Sequence, residues 1–243
     1  MNDTTPASSA DSSAASAPSS TSKLEPLRID FVSDVACPWC AVGLKSLETA
    51  LARVPEVRAE LHFQPFELNP QMVPEGEDID EHLTRKYRST PEQRAQIRGH
   101  LRDRGAAVGF TFTEGARSWI WNTFDAHRLL HWAGLQSAKA QHDLKLALLT
   151  AYHTDGKNPG DRGVLLETVG AIGLDKSEAA RVFDSGEFAD AVREAESFWL
   201  GQGISSVPSV VINERYLISG GQPPEAFEQA LRQIAAEQQQ AQS

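Results

Sequence analysis

Cysteine is scarce in this chain. Two of its 243 residues are Cys, two are Met, and aromatic residues make up 7%. Two cysteines cannot build a disulfide-dense scaffold, nor a four-cysteine zinc site. Long apolar runs are missing too; none approaches the ~20 residues that a membrane-spanning helix needs. Basic residues are outnumbered, 23 Lys and Arg against 33 Asp and Glu, for a net charge of −10. That balance argues against a phosphate-backbone ligand, so no nucleic-acid and no membrane partner is expected. Residues 1–22 are almost all Ser, Ala, Thr, Pro, Asn and Asp, with neither a basic start nor an apolar stretch. They do not read as a secretory signal, and the expected compartment is the cytoplasm. Their composition buries too little apolar surface to offset the entropy of ordering, which predicts a disordered tail over 1–23.

What is present centres on the two cysteines, which stand together as Cys37-Pro38-Trp39-Cys40. An apolar run before them, Leu27 to Ser33, reads as a buried strand. Val42, Leu44, Leu47, Ala50, Leu51 and Val54 follow at helical spacing, and Pro55 ends that helix. A Cys-x-x-Cys where a strand turns into a helix is a redox motif with a mechanism. Unpaired N–H groups and the helix dipole favour a thiolate on the first sulfur, and the second lies one turn later. Two other readings compete. Half of a zinc site would need further ligands such as His127 and His131, which lie far along the chain. Two inert core thiols are the plain alternative. With the proline described below, redox chemistry is favoured and no metal is expected.

Arg58 to Phe66 alternates as a second strand that Pro65 cuts short. The next stretch is helical: Asp80 to Tyr87, then Thr90 as an N-cap with Pro91 opening a helix to Ala107. Arg94, Arg98, Arg102, Asp103 and Arg104 read as its solvated face, and Gly109 to Phe112 as a brief extended segment. Further helices are predicted over Asn122 to Ala133 (closed by Gly134), Ala138 to Tyr152, Arg162 to Ile172, Lys176 to Phe183 and Phe188 to Leu200. Strand character returns at Ser209 to Ile212. Asn213-Glu214 turns the chain into Arg215 to Ser219, and Pro223-Pro224 opens a last helix. The expected fold class is α/β, a thioredoxin topology with a large all-helical insertion. Its segments are a first half over 24–77, the helical insertion over 78–203, a second half over 204–236 and a frayed end over 237–243.

Several stretches carry a family resemblance: Ser33 to Gly43 around the cysteines, Phe66-Glu67-Leu68-Asn69-Pro70, Asn122 to Leu130, Gly203 to Pro208 and Ile218 to Pro223. Together they resemble the DsbA-like branch of the thioredoxin superfamily, and within it the FrnE-type dithiol oxidoreductases. The resemblance extends to glutathione-dependent 2-hydroxychromene-2-carboxylate isomerases and kappa-class glutathione transferases. Those typically carry Ser in place of the first cysteine and lack the second, so the two thiols here favour redox chemistry.

The resemblance implies that Cys37 is the nucleophile and Cys40 the resolving thiol. It also implies a cis peptide bond at Pro208, with Val207 and Pro208 facing the dithiol as a platform for an extended substrate. Pro38 and Trp39 join the substrate-binding set. Asn122 and His127 join it too, because the family places their segment over the cysteines, with Asn69 and Trp119 as secondary candidates. From residue type alone Asn122 is an N-cap and His127 a core or surface histidine. Asp34 either relays a proton or caps the turn. Disulfide-containing proteins or small thiols are the implied substrates. Glutathione is a candidate co-substrate, no tightly bound cofactor is expected, and a homodimer is left open.

Overall fold

Strand β1 (Leu27–Ser33) is buried along nearly its whole length, as a strand covered on both faces must be. In the computed structural model, which describes Met1 and residues 25–241, it lies inside a four-stranded sheet of order β2-β1-β5-β6. The tail expected over 1–23 falls, Met1 aside, outside the described residues. β2 (Ala59–Pro65) runs parallel to β1 after a crossover through α1 (Pro38–Arg53). β5 (Ser209–Ile212) pairs antiparallel on the other side, with Ile29 opposite Ile212. β6 (Tyr216–Ser219) closes the far edge as a hairpin around Asn213 and Glu214, both at positive φ.

Period-two alternation sends Ile29 and Phe31 to one face of the sheet and Val32 to the other. The first face packs against α1 and α9 (Pro224–Ala241), where Leu44, Leu47, Phe227 and Leu231 are fully buried. On the second face Val32 and Val211 meet Phe66, Trp199 and Ile204. This is the DsbA-like thioredoxin fold expected from the sequence.

Between β2 and β5 lie seven helices: α2 (Ile79–Tyr87), α3 (Pro91–Ala107), α4 (Phe124–Gln136), α5 (Ala138–His153), α6 (Arg162–Ala171), α7 (Lys176–Ser185) and α8 (Ala189–Gly201). Helices α4 to α7 share a core that includes Leu129, Trp132, Leu144, Leu148, Leu165 and Val182, and it takes in Val35 from the turn after β1. The insertion is therefore packed onto the sheet domain at the cysteine turn.

Several local expectations are revised. A two-residue ladder, β3 (Glu77–Asp78) against β4 (Trp119–Ile120), ties the ends of the α2–α3 segment together and was invisible at that length. Gly109 to Phe112 forms no strand; Phe110 and Phe112 turn inward against each other and against His153. Gly134 does not end α4, which runs on to Gln136; a Cβ there would lie 2.8 Å from the Gln141 amide. Asn122 is not the N-cap of α4, a position held by Thr123. Its side-chain oxygen accepts from Phe124 N (2.9 Å) while its amide donates to Met72 O. Arg94 is not on a solvated face. It is buried, donating to Ser89 O and Thr84 Oγ1. The end expected to fray, 237–243, is helical to Ala241, with Tyr216 Oη donating to Glu237 and Gln238 donating to Glu25 O.

One close approach is testable. A Cβ on Gly43 would sit 3.0 Å from Pro208 Cγ and 3.5 Å from Gly221 Cα. Gly43→Ala gains helix propensity worth up to ~1 kcal/mol but overpacks a rigid ring, at about 1–3 kcal/mol. The expected outcome in urea denaturation is a net loss of stability; a stabilised variant would show that Pro208 yields freely.

Candidate active site

The turn linking β1 to α1 is held from all sides. Asp34 is buried, 1% exposed, and its carboxylate accepts from Ala36 N (3.0 Å), Leu68 N (2.7 Å) and Thr123 Oγ1 (2.8 Å). His127 Nε2 stands 3.5 Å from the same carboxylate without completing a hydrogen bond. Burial works to raise the Asp34 pKa, but the His127 ring and the two amides outweigh it, and the net direction is down. Of the two readings of Asp34 from sequence, turn cap and proton relay, the geometry supplies the cap directly. It adds a tie to the insertion through Thr123.

Two backbone carbonyls of the same turn are claimed by the insertion. His153 Nε2 meets Val35 O at 3.0 Å, and Arg117 donates to Ala36 O at 3.1 Å. Burial pushes the His153 pKa well below its ordinary value, so the ring is neutral and Nε2–H is the donor. Arg117 also lies over the Tyr152 ring, whose hydroxyl donates to Trp119 O.

Within this frame the cysteines differ sharply. Both are free thiols. Cys37 is the N-cap of α1, with Pro38 at the first helical position. It is 4% exposed at the floor of a groove, and its thiol donates to Val207 O at 3.5 Å. A hydrogen bond from the Cys40 thiol lowers its pKa most; burial opposes this, and the amides of Cys40 and Trp39 assist. Cys40, fully buried, is pushed well above the ordinary thiol value by desolvation and then by Cys37 itself. One sulfur is prepared to be a thiolate and the other to stay protonated.

The groove has a volume of about 650 Å³. Trp39 and Val207 flank Cys37, while Leu83, Tyr87, Ile97 and Leu101 from α2 and α3 form the facing wall. Lys86, Arg98 and Arg102 stand along it, Arg98 paired with Asp80 and Arg102 with Glu114, while Lys86 donates only to the neutral oxygens of Leu68 and Asn69. Trp39 packs edge-on against His100 of α3, and Arg104 donates to Gly221 O, which fastens that wall beside the dithiol.

The structure thus brings Pro38, Trp39 and Val207 together with Cys37. Pro208, whose bond to Val207 is cis, packs beside Gly43 of α1. Asn69 also lines the groove and accepts from Lys86 Nζ (2.8 Å). Asn122 and His127 are not in the groove. Asn122 holds the start of α4, and His127 lies behind the dithiol against Asp34. Trp119 is 42% exposed and stacks on Trp121, outside the groove. His131 packs against Phe188 rather than with the cysteines.

Sequence reasoning passed over Arg117, Thr123, His153 and Lys145. Lys145 alone left a trace: a charged residue within the apolar stripe of α5, four residues before Leu149.

Comparison with known proteins agrees with this architecture. The family model described as a DSBA-like thioredoxin domain matches residues 28–232. A probable DsbA oxidoreductase from Streptomyces coelicolor is 33% identical, covering 87% of this chain and 91% of that one with a TM-score of 0.81. The cytosolic disulfide reductase DsbM from Pseudomonas aeruginosa, in a structure with GSH, shares the fold at 17% identity, 86% and 99% coverage and a TM-score of 0.60. A 2-hydroxychromene-2-carboxylate isomerase shares it at 12% identity, 89% and 100% coverage and a TM-score of 0.66.

Two outcomes follow from the site. Asp34→Asn places an N–H where donors converge, costing about 2–4 kcal/mol in a chemical denaturation midpoint. Because the folded pKa of Asp34 is depressed, its contribution is complete above the unfolded value near 4. It fades as pH falls through the folded value, so wild type and variant should converge in acid. Cys40→Ala removes the hydrogen bond that most lowers the Cys37 pKa, so half-maximal alkylation of Cys37 should move to higher pH. An unmoved profile would put the activation elsewhere.

Proposed function

The chain belongs to the DSBA-like thioredoxin domain family, and we propose that it is a thiol–disulfide oxidoreductase of the FrnE type. In this reading it reduces or isomerises disulfides in the cytoplasm. The asymmetry of the two thiols is the observation that carries the proposal: Cys37 lowered and open to a groove, Cys40 raised and sealed behind it. Cys37 thiolate attacks one sulfur of a substrate disulfide, forming a mixed disulfide and releasing the other sulfur as a thiolate. Cys40 then attacks Cys37 Sγ, the Cys37–Cys40 bond forms, and the substrate leaves reduced. The Val207 carbonyl beside Cys37 offers an acceptor for the backbone of an extended substrate, supporting Val207 and Pro208 as its platform.

Glutathione is the proposed co-substrate that returns the dithiol to its reduced form. The groove volume lies in the range of small-molecule sites, and Lys86, whose ammonium donates only to neutral oxygens, suits a carboxylate. No helix among the described residues is long and apolar enough to cross a membrane, which is compatible with the proposed compartment.

The same groove favours a second reading, a glutathione-dependent isomerase or transferase acting on a small apolar acid. The assay that separates the two is insulin reduction with glutathione as electron donor. Cys37→Ser should lose at least ~100-fold in rate, as expected for a nucleophile, and Cys40→Ser should accumulate a Cys37-linked mixed disulfide. Full turnover by Cys37→Ser would sink the oxidoreductase assignment. Isomerisation of a chromene carboxylate that survives Cys40→Ala would transfer it to the second reading.

A further inference from the structure

The charged side chains along the dithiol groove divide into those with a counter-ion and those without. Arg94 and Arg98 share Asp80, Arg102 pairs with Glu114, Glu67 with Arg193, and His82 with Glu77. Two cations of the lining take part in no ion pair among the described residues: Lys86 on α2, and Arg117 in the segment between α3 and β4.

Arg117 stands beside the reacting sulfur. Its Nη2 donates to the carbonyl of Ala36, the residue before Cys37, at 3.1 Å. Its guanidinium lies 5.1 Å from the centroid of the Tyr152 ring, and the Tyr152 hydroxyl is itself held on Trp119 O at 2.6 Å. Ring and carbonyl together fix the plane of the group before a ligand arrives. The rest of the fork is not spent: Nε is buried without a hydrogen-bond partner.

Neither carboxylate of the neighbourhood answers this charge. Asp34, behind the turn, already accepts from three donors. Glu114, close to Arg117 in the chain, has a side chain 82% exposed and turned to Arg102 at 3.5 Å. A guanidinium, unlike an amine, does not shed its charge by losing a proton, and half-buried without a counter-ion it is a standing cost to the fold. Its planar fork matches a carboxylate.

We infer that Arg117 receives a carboxylate carried close to the reacting sulfur of the substrate, which makes acid-bearing disulfides the class that this groove selects. The inference rests on the oxidoreductase reading above and deepens it. Ala36 and Cys37 are adjacent residues, so a carboxylate held on Arg117 lies only a few bonds from the sulfur that Cys37 attacks. Two sources supply that chemistry, the free carboxylate of a small thiol or an acidic side chain beside a cysteine in a polypeptide. Val207 O, from the sheet domain, addresses the backbone of the substrate, and Arg117, from the insertion, addresses its charge. The covalent steps are unchanged; Arg117 acts on capture and orientation of the disulfide before attack. The rest of the protein works against such substrates. At a net charge of −10, and with a thiolate as nucleophile, an acidic disulfide is repelled unless a local cation receives it.

The test compares bis(2-carboxyethyl) disulfide with its diamide, which has the same length and no charge. Full-length reduced protein is mixed with an excess of each, and oxidation of the dithiol is followed by acid quench and mass spectrometry. Each rate is divided by that of free mercaptoethanol, which removes the intrinsic difference between the two reagents. Wild type should favour the diacid by at least ~10-fold, the size of a charge-assisted hydrogen bond. Arg117→Gln should slow the diacid by at least ~10-fold and leave the diamide within about three-fold, so that the preference disappears. A parallel pair of end-blocked cysteinyl peptides, used as symmetric disulfides with Asp or Asn after the cysteine, separates the sources. An Arg117-dependent preference in the first pair assigns the carboxylate to a small thiol, and one in the second pair to an acidic polypeptide; either sustains the inference.

Equal slowing of acid and amide in Arg117→Gln would overturn it, reducing Arg117 to a prop for the turn. So would a preference that Lys86→Met removes and Arg117→Gln keeps. Wild type supplies a check that needs no folded variant, since no preference for the acid in either pair refutes the inference outright. Failure of wild-type Cys37 to react with any of these disulfides would refute the oxidoreductase reading beneath it instead.

Discussion

The buried carboxylate of Asp34 is the interaction on which the rest of the site depends. A charge with 1% exposure is tolerable only when its lone pairs are satisfied, and each donor here comes from a different part of the chain. Ala36 N belongs to the cysteine turn, Leu68 N to the loop after β2, and the Thr123 hydroxyl to the start of α4. The carboxylate therefore joins the sheet domain to the helical insertion at the point where Cys37 emerges. His153 and Arg117 repeat the logic on the carbonyls of Val35 and Ala36. Side chains of the insertion hold the backbone of the turn, and the position of the nucleophile is a property of the interface between the two parts.

Electrostatics on that frame then divide the labour between two chemically identical side chains. Cys37 caps a helix N-terminus and receives hydrogen bonds; Cys40, one turn deeper, receives mainly desolvation. The difference arises from depth along a single helix turn.

Much of the fold was legible because its signals are local. The apolar run of β1, the Thr90-Pro91 start of α3 and the Asn213-Glu214 hairpin each follow from residue type and spacing over a few positions. The topology followed from the order of those elements, and the resemblance pointed to Val207-Pro208 as the counterpart of the cysteines. What remained hidden depends on contacts distant in sequence. Arg94 looks like its solvated neighbours on α3 until the Ser89 carbonyl and Thr84 hydroxyl are seen beneath it. Arg117 and His153 carry no motif, and Thr123 does not stand out within its family-like stretch, since each acts through a bond to a turn some eighty or more residues earlier. His127 showed the reverse failure: the family segment was placed correctly near the cysteines, but the ring points behind them.

The pairing of β1 with β5 has a consequence for the making of the protein. Ile29 has no antiparallel partner until Ile212 has been synthesised, so the sheet stays open on that side while the whole helical block is produced. The cysteines leave the ribosome near the beginning of that interval, and α9, which seals their side of the core, arrives at its end. A nascent chain therefore exposes two unprotected thiols for most of its synthesis. Its first encounter with cellular oxidants comes before its own selectivity has been assembled.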